Sequence, residues 1–355
     1  MRIRTPFNRC LPLLAAMLYS AGLAEAQSTA ARGTARENVR DNVRENVRTK
    51  GIGKVLVANQ QASSATLVDL ATGASTHIPV GDGPHEAAIS PDGRTGVITV
   101  YGAQTPGNSL AIIDLASGAV TRMVDLGRFT RPHGATFVAS SNSLMAVTSE
   151  ATQRVVLVDI GKGEVVGEIA TGNSGSHMVG LTADGKRAYT ANVGSGTVSE
   201  LDLATRTSTR QLPIGPRSEG IAVRPDGGEV WVGSNTNGTV SVVDTKTWQI
   251  AATLKGFTLP YRLGISPDGK LAVVVDPEQN RIHVVDVATR ATLGTVDDLG
   301  SPRGVSIGAD NRTAFITSAG RSSVIAVDLV ERRIVGEYAV QTAPDGVAFW
   351  APVAR

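Results

Sequence analysis

The sequence predicts an all-β protein: a seven-bladed β-propeller closed by pairing of its C-terminal strand with the first blade. Three observations predict it. Asp69, Asp114, Asp159, Asp202, Asp244, Asp286 and Asp328 recur 45, 45, 43, 42, 42 and 42 residues apart, each ending a β-rich run (TLVD, AIID, VLVD, SELD, SVVD, HVVD, IAVD). A period of roughly 40–50 residues made of short strands corresponds to one four-stranded blade per repeat. A Pro-Asp-Gly turn recurs at 91–93, 225–227 and 267–269, with degenerate copies at Asp184-Gly185 and Asp310-Asn311. Finally, Pro344-Asp345-Gly346-Val347-Ala348-Phe349-Trp350 reads as an inner strand with nothing after it, while the repeat starting near Lys54 lacks one. Joining the two removes an exposed sheet edge.

Residues 260–300 show a complete repeat. An inner strand, Leu263 to Ser266, leads through Pro267-Asp268-Gly269 into a second strand, Leu271 to Val275. Proline presets φ in such a turn, aspartate caps it, and glycine takes the positive φ. A loop at Asp276 to Asn280 precedes the third strand, Ile282 to Asp286, and a turn at Ala288 to Ala291 leads to an outer strand ending near Gly300. The periodic aspartates precede Thr72, Ser117, Thr205, Thr247 and Thr289, as hairpin caps would. The inner strands are rich in small residues (Ala87-Ala88, Val179-Gly180, Ile221-Ala222), which suits crowding around an axis.

Residues 1–26 read as a secretory signal peptide, with Arg2, Arg4 and Arg9 before an apolar run from Leu11 to Ala24 and a small-x-small site at Ala24-Glu25-Ala26. That run is short for a membrane span, and no later segment reaches the length one needs, so the expected protein is secreted, periplasmic and without a transmembrane segment after signal removal. The single cysteine, Cys10, falls inside the leader. Cysteine nucleophiles, thiolate metal sites and Cys-x-x-Cys-His haem attachment are thereby excluded from the mature chain. Residues 27–53 form a low-complexity spacer with RENV-type repeats, RENV-RDNV-RENV-R at 36–48. Asparagine in every repeat and like charges at i,i+4 weaken it as a helix. The propeller is assigned to 54–355.

The whole chain carries 34 basic and 32 acidic residues; residues 51–355 carry 25 and 28. A mildly acidic body lacks the basic footprint that nucleic-acid affinity needs. The expected partner is a small molecule or a protein, and the expected state is a monomer.

Val55-Leu56-Val57-Ala58-Asn59 and Ala188-Tyr189-Thr190-Ala191-Asn192, with their following aspartate-terminated strands and Ser-Pro-Asp-Gly turns, resemble YVTN-type repeats. Over residues 54–351 the chain resembles the YncE-like periplasmic propellers and, more distantly, the lactonase-like propellers. The resemblance implies the fold and the periplasm. It leaves activity open, since relatives include binding proteins, lyases, hydrolases and cofactor-bearing dehydrogenase subunits. It also suggests a single-stranded DNA role, which the acidic body opposes.

Aligning the loops that enter the inner strands places one residue per blade beside the axis: His85, His133, His177, Glu219, Tyr261, Arg303 and Asp345. Glu86 and Arg262 come next along their strands. A second layer, from the loops between second and third strands, comprises Asn59, Tyr101, Ser149 with Glu150, Asn192, Ser234, Asp276 and Ser318. Both loop sets open on one face and predict a polar funnel at the channel mouth. Three readings stay open. The funnel is simply hydrated. It is a recognition site in which Arg303 and Arg262 hold a carboxylate or phosphate, histidines tune binding near neutrality, and Glu219, Tyr261, Asp345, Asn192 and Asp276 complete the wall. Or it is an active site: His85, His133, His177 and Glu219 ligate a divalent metal that polarises an ester-like carbonyl, or a histidine acts as general base while Arg303 stabilises an oxyanion. No local hydrolase or phosphate-loop motif accompanies these residues. His77, His283, Trp231 and Trp248 lie outside the ring and read as surface or packing residues.

Overall fold

The computed structural model describes residues 51–139 and 141–352. Residues 1–50, with the expected signal peptide and nearly all of the expected spacer, lie outside the described residues. Among the described residues, seven four-stranded antiparallel sheets form the blades. In blade six the strands are Arg262–Ile265, Leu271–Asp276, Arg281–Asp286 and Thr292–Asp297, within a residue or so of expectation at most ends. The inner strands of the others are Pro84–Ile89 (blade two), Pro132–Phe137 (three), Ser176–Leu181 (four), Ser218–Val223 (five), Pro302–Ile307 (seven) and Pro344–Trp350 (one). Each inner strand contacts those of its two neighbours, from blade one round to blade seven and back. No helix among the described residues is long and apolar enough to cross a membrane.

Each sheet is buried on both faces, so the second and third strands read as nearly continuous apolar runs such as Lys54–Asn59 and Thr239–Asp244. The core lies between blades. Leu56, Ala58 and Ile78 of blade one meet Ile98, Ala111 and Ile113 of blade two, and equivalent clusters fill the other interfaces. Burying one such side chain contributes roughly 1.5–3 kcal/mol, which is why no disulfide is needed to hold a ring of this size. Trp231 and Trp248 serve this packing. Trp231 is buried under the Arg290 guanidinium, 5.2 Å from its ring centre, and Trp248 stacks on Tyr189 across blades four and five. His283 is buried edge-on against Phe257, whereas His77 lies exposed on an outer strand.

The periodic aspartates cap the turns into the outer strands. Asp114 Oδ1 accepts from the backbone N–H of Ala116 and Ser117 and from the Ser117 hydroxyl. Asp69, Asp159, Asp202, Asp244, Asp286 and Asp328 accept equivalent bonds. In the Pro-Asp-Gly turns, Gly93 takes φ 71° and Asp92 accepts from the Ser90 hydroxyl and the Arg94 N–H. A Cβ at Gly93 would overlap the Trp350 indole, so glycine is required here twice over.

The strand Pro344–Trp350 pairs antiparallel with Lys54–Asn59, matching Lys54 to Trp350 and Val57 to Val347. Phe349 packs on Phe315 of blade seven at 4.6 Å between ring centres, and Trp350 Nε1 donates to the Pro91 carbonyl of blade two at 3.0 Å. The closing strand thus touches both neighbours of blade one. Deleting residues 344–355 is expected to expose the apolar edge of Lys54–Asn59 and convert the purified protein to larger species, checked by light scattering.

Candidate functional site

In six blades the ring residue stands where the inner strand departs from its ladder, and in blade six Tyr261 directly precedes the strand. In blade two, Pro84 pairs with Val100 and Ala87 with Ile98, so one extra residue is inserted at His85-Glu86. Blades one, three, four, five and seven carry the same insertion at Asp345, His133, His177, Glu219 and Arg303. Such a bulge kinks the strand and re-aims a side chain, here around the axis. The next position is glycine in blades three, five, seven and one (Gly134, Gly220, Gly304, Gly346). The reason is crowding: a Cβ at Gly346 would lie 2.5 Å from both His85 O and Glu86 Cα. Threonines of the second strands fasten the bulges between blades. Thr148 donates to His177 O and Thr317 to Asp345 O, both at 2.6 Å.

Only blades two and six place long charged side chains at the glycine position, and these meet across the axis. Arg262 Nη2 lies 2.8 Å from Glu86 Oε1, with Nε 3.3 Å from the same oxygen. Arg262 Nη1 donates to Glu219 Oε1 at 3.1 Å and to the Tyr261 carbonyl at 3.2 Å. Glu219 continues to His177 Nε2 at 3.3 Å, and His177 Nδ1 lies 3.4 Å from Glu150 Oε2. Tyr101 donates its hydroxyl to Glu150 at 3.0 Å, and Asn235 donates to Glu219. His85 Nδ1 lies 2.8 Å from Asp345 Oδ2 at an angle poor for a hydrogen bond, so the contact is electrostatic; its Nε2 meets Gln60 at 2.7 Å. His133 stacks between the other two imidazoles, 3.7 Å from His177 and 4.6 Å from His85 by ring centres.

Burial and pairing set the ionisation of this chain. Burial opposes the charge of Glu219, but bonds from His177 and attraction to Arg262 outweigh it and leave its pKa below the ordinary value. The same competition, won by His85 and Arg262, brings Asp345 down to about 2. Burial raises Glu86, with Arg262 offsetting only part of the penalty. Burial lowers His133 well below 6.5, and the nearby His177, His85 and Arg262 charges add to it. For His177, hydrogen bonds to Glu150 and Glu219 outweigh burial and raise the pKa. Tyr101 is pushed up to about 12 by burial and then by Glu150.

All nine ring and adjoining residues put forward from sequence (His85, Glu86, His133, His177, Glu219, Tyr261, Arg262, Arg303, Asp345) therefore come together around the axis. Several of the roles attached to them change. The four candidate metal ligands do not converge. The His133 and His177 rings overlap at a 34° tilt with centres 3.7 Å apart, and both His177 nitrogens face carboxylates, whereas metal ligation needs ring nitrogens aimed in-plane at one point. Among the described residues no three His, Cys, Asp or Glu groups are disposed to hold a metal ion. Arg262 is buried and saturated by Glu86 and Glu219, so it holds the protein's own carboxylates instead of a ligand's. Asn192 and Asp276 do not face the funnel. Asn192 donates to Thr197 and Ser199 within its blade, and Asp276 accepts from the N–H groups of Thr258, Leu259 and Gln279. Asn59, Ser149, Ser234 and Ser318 are consumed locally in the same way. From the second layer only Tyr101 and Glu150 reach the ring. Gln60, which sequence reasoning missed, covers His85; its position directly after Asn59 was the available signal.

Arg262→Met is expected to lower unfolding stability by about 3 kcal/mol, since it leaves Glu86 and Glu219 buried without their cation. Urea denaturation at neutral pH measures this, and Glu86→Gln should be milder because Arg262 keeps Glu219.

With the geometry established, its relatives can be stated. A family model described as a YNCE-like beta-propeller matches residues 185–347, from the second strand of blade four into the closing strand of blade one. A solved structure, the Kuenenia stuttgartiensis hydrazine synthase, is similar with a TM-score of 0.63 and 17% sequence identity, over 76% of this chain and 95% of that one. At that identity the likeness is one of fold. No curated protein matches this sequence.

Proposed function

We propose that this protein is a binding propeller of the periplasm whose channel mouth takes a small carboxylate- or phosphate-bearing ligand at Arg303. The observation carrying this reading is the contrast between the two axial arginines. Arg262 is sealed into carboxylate pairs, whereas Arg303 is half-buried, makes no hydrogen bond or ion pair among the described residues, and has a buried Nε without a partner. Its guanidinium lies 5.6 Å from the Tyr261 ring centre. A planar fork left unpaired at a partly dry mouth is suited to a bidentate anion. Tyr261, His85 and Tyr101 complete the neighbouring wall. The periplasmic setting rests on the leader-like residues 1–26.

Thermal melting of the purified protein with a panel of small dicarboxylates and phosphomonoesters tests the proposal. At least one is expected to raise Tm in a concentration-dependent manner, and Arg303→Ala to abolish that shift while leaving the ligand-free Tm within a few degrees. A panel that stabilises wild type and Arg303→Ala equally would refute the assignment.

A second reading, hydrolysis of an ester-like bond, is favoured by one observation. Asp345 Oδ2 lies 2.8 Å from His85 Nδ1, an anion that would stabilise the imidazolium formed when Nε2 takes a proton once Gln60 moves aside. Of the three histidines proposed for catalysis, only His85 retains this option. His133 is sealed at 1% exposure, and His177 has carboxylates on both nitrogens. If this reading holds, turnover of lactone or ester substrates should disappear in His85→Ala and survive in His133→Gln.

A further inference from the structure

The stack of imidazoles contains a group that neither reading uses. His133 has two buried ring nitrogens and no hydrogen-bond partner for either. One of them must carry a proton even in the neutral ring, so burial leaves at least one donor unsatisfied, and such orphans need a reason. A carboxylate oxygen, Glu86 Oε1, lies 3.9 Å from Nδ1, and it is the oxygen that Arg262 holds from the other side of the axis. The groups facing His133 come from four blades: His85, Glu86 and Tyr101 from blade two, His177 from blade four, Arg262 from blade six, and Glu150 of its own blade through His177 and Tyr101.

We propose that His133 is an acid-sensitive latch on the axis: taking up a proton, it draws Glu86 Oε1 from Arg262 and is driven off the His177 ring, loosening the inner strands of blades two, three and four. The stack tolerates one charged imidazole because His177 is flanked by Glu150 and Glu219. A second charge in the middle, with ring centres 3.7 Å apart, has only Glu86 to answer it.

The direction in pH follows from the groups already described. His133 titrates below 6.5 when folded, so the opened form binds its proton more tightly, and opening becomes easier as pH falls below about 6.5. One proton of difference corresponds to about tenfold per pH unit. His177 acts in the opposite sense. Its raised pKa contributes stability that is complete below 6.5 and lost as pH rises through the folded value. Glu86, raised by burial, takes its proton in the folded state as pH falls and resists opening, which confines the effect to mild acid. Glu150, Glu219 and Asp345 are lowered and stay charged throughout that window.

Hydrogen exchange on the full chain between pH 7.5 and 5.5, corrected for the intrinsic rate, reads the latch through the amides of residues 133–137 and Ser176–Leu181. Protection in wild type is expected to fall about tenfold per unit below pH 6.5, and His133→Gln, which cannot take a charge, to hold its protection. Equal slopes in the two proteins, or a flat wild-type profile, would overturn the proposal. Should His133→Gln fail to fold, imidazole NMR of the wild type decides alone: the His133 ring must gain its proton together with the loss of protection, and protonation without that loss overturns the latch. No added ligand enters either measurement, so its outcome is independent of whether Arg303 binds an anion.

Discussion

Seven inner strands crowd one axis, and most polar groups carried there lose water and compete for partners within the ring. Most of the local anatomy answers to that constraint. The glycines after the ring residues exist because a Cβ would overlap the backbone of the next blade, as at Gly346 against His85 and Glu86. The threonines of the second strands return hydrogen bonds to the carbonyls that the bulges free. Where two blades replace the glycine with a charged residue, the replacements are a matched pair, Glu86 and Arg262, and a lone charge in either place would be heavily penalised.

The mouth that results is lopsided. Blades two to four contribute a cluster of flat rings: Tyr101, His85, His133 and His177. Blades five to seven and blade one contribute carboxylates and guanidinium groups. The hydrogen-bonded chain from Tyr101 through Glu150, His177, Glu219 and Arg262 to Glu86 joins the two halves. Such a chain is rigid while satisfied, and it rations what is left for a ligand. Arg262 is spent on holding the protein together, whereas Arg303 makes no hydrogen bond or ion pair among the described residues. The same rationing separates the histidines. His177 is held on both nitrogens, His85 keeps one toward the rim, and His133 has none engaged.

Much of this was legible in the chain before any coordinates. The spacing of Asp69 through Asp328 determined the blade count, because each cap is a local matter between an aspartate and the N–H groups two or three residues on. The closing strand was legible from the motif at Pro344–Trp350, since a repeat that ends one strand long must complete one that begins one strand short. The membership of the ring was legible too, because equal steps along a circular repeat return to equivalent places.

What the sequence could not decide was how those side chains address one another. Whether three imidazoles aim at a common point or overlap as tilted rings depends on side-chain rotations of a few tens of degrees, and residue order carries no record of them. That Arg262 reaches Glu86 across 176 positions of chain, while Arg303 lies by the Tyr261 ring and pairs with no carboxylate among the described residues, is decided by how the side chains share the scarce space at the centre. Asn192 and Asp276 sit at the right place in the repeat for the funnel, yet nearer backbone and hydroxyl groups claim them first. The repeat is written in short-range bonds and is therefore readable from the chain. Competition for partners in a desolvated centre is settled only when all seven blades have closed.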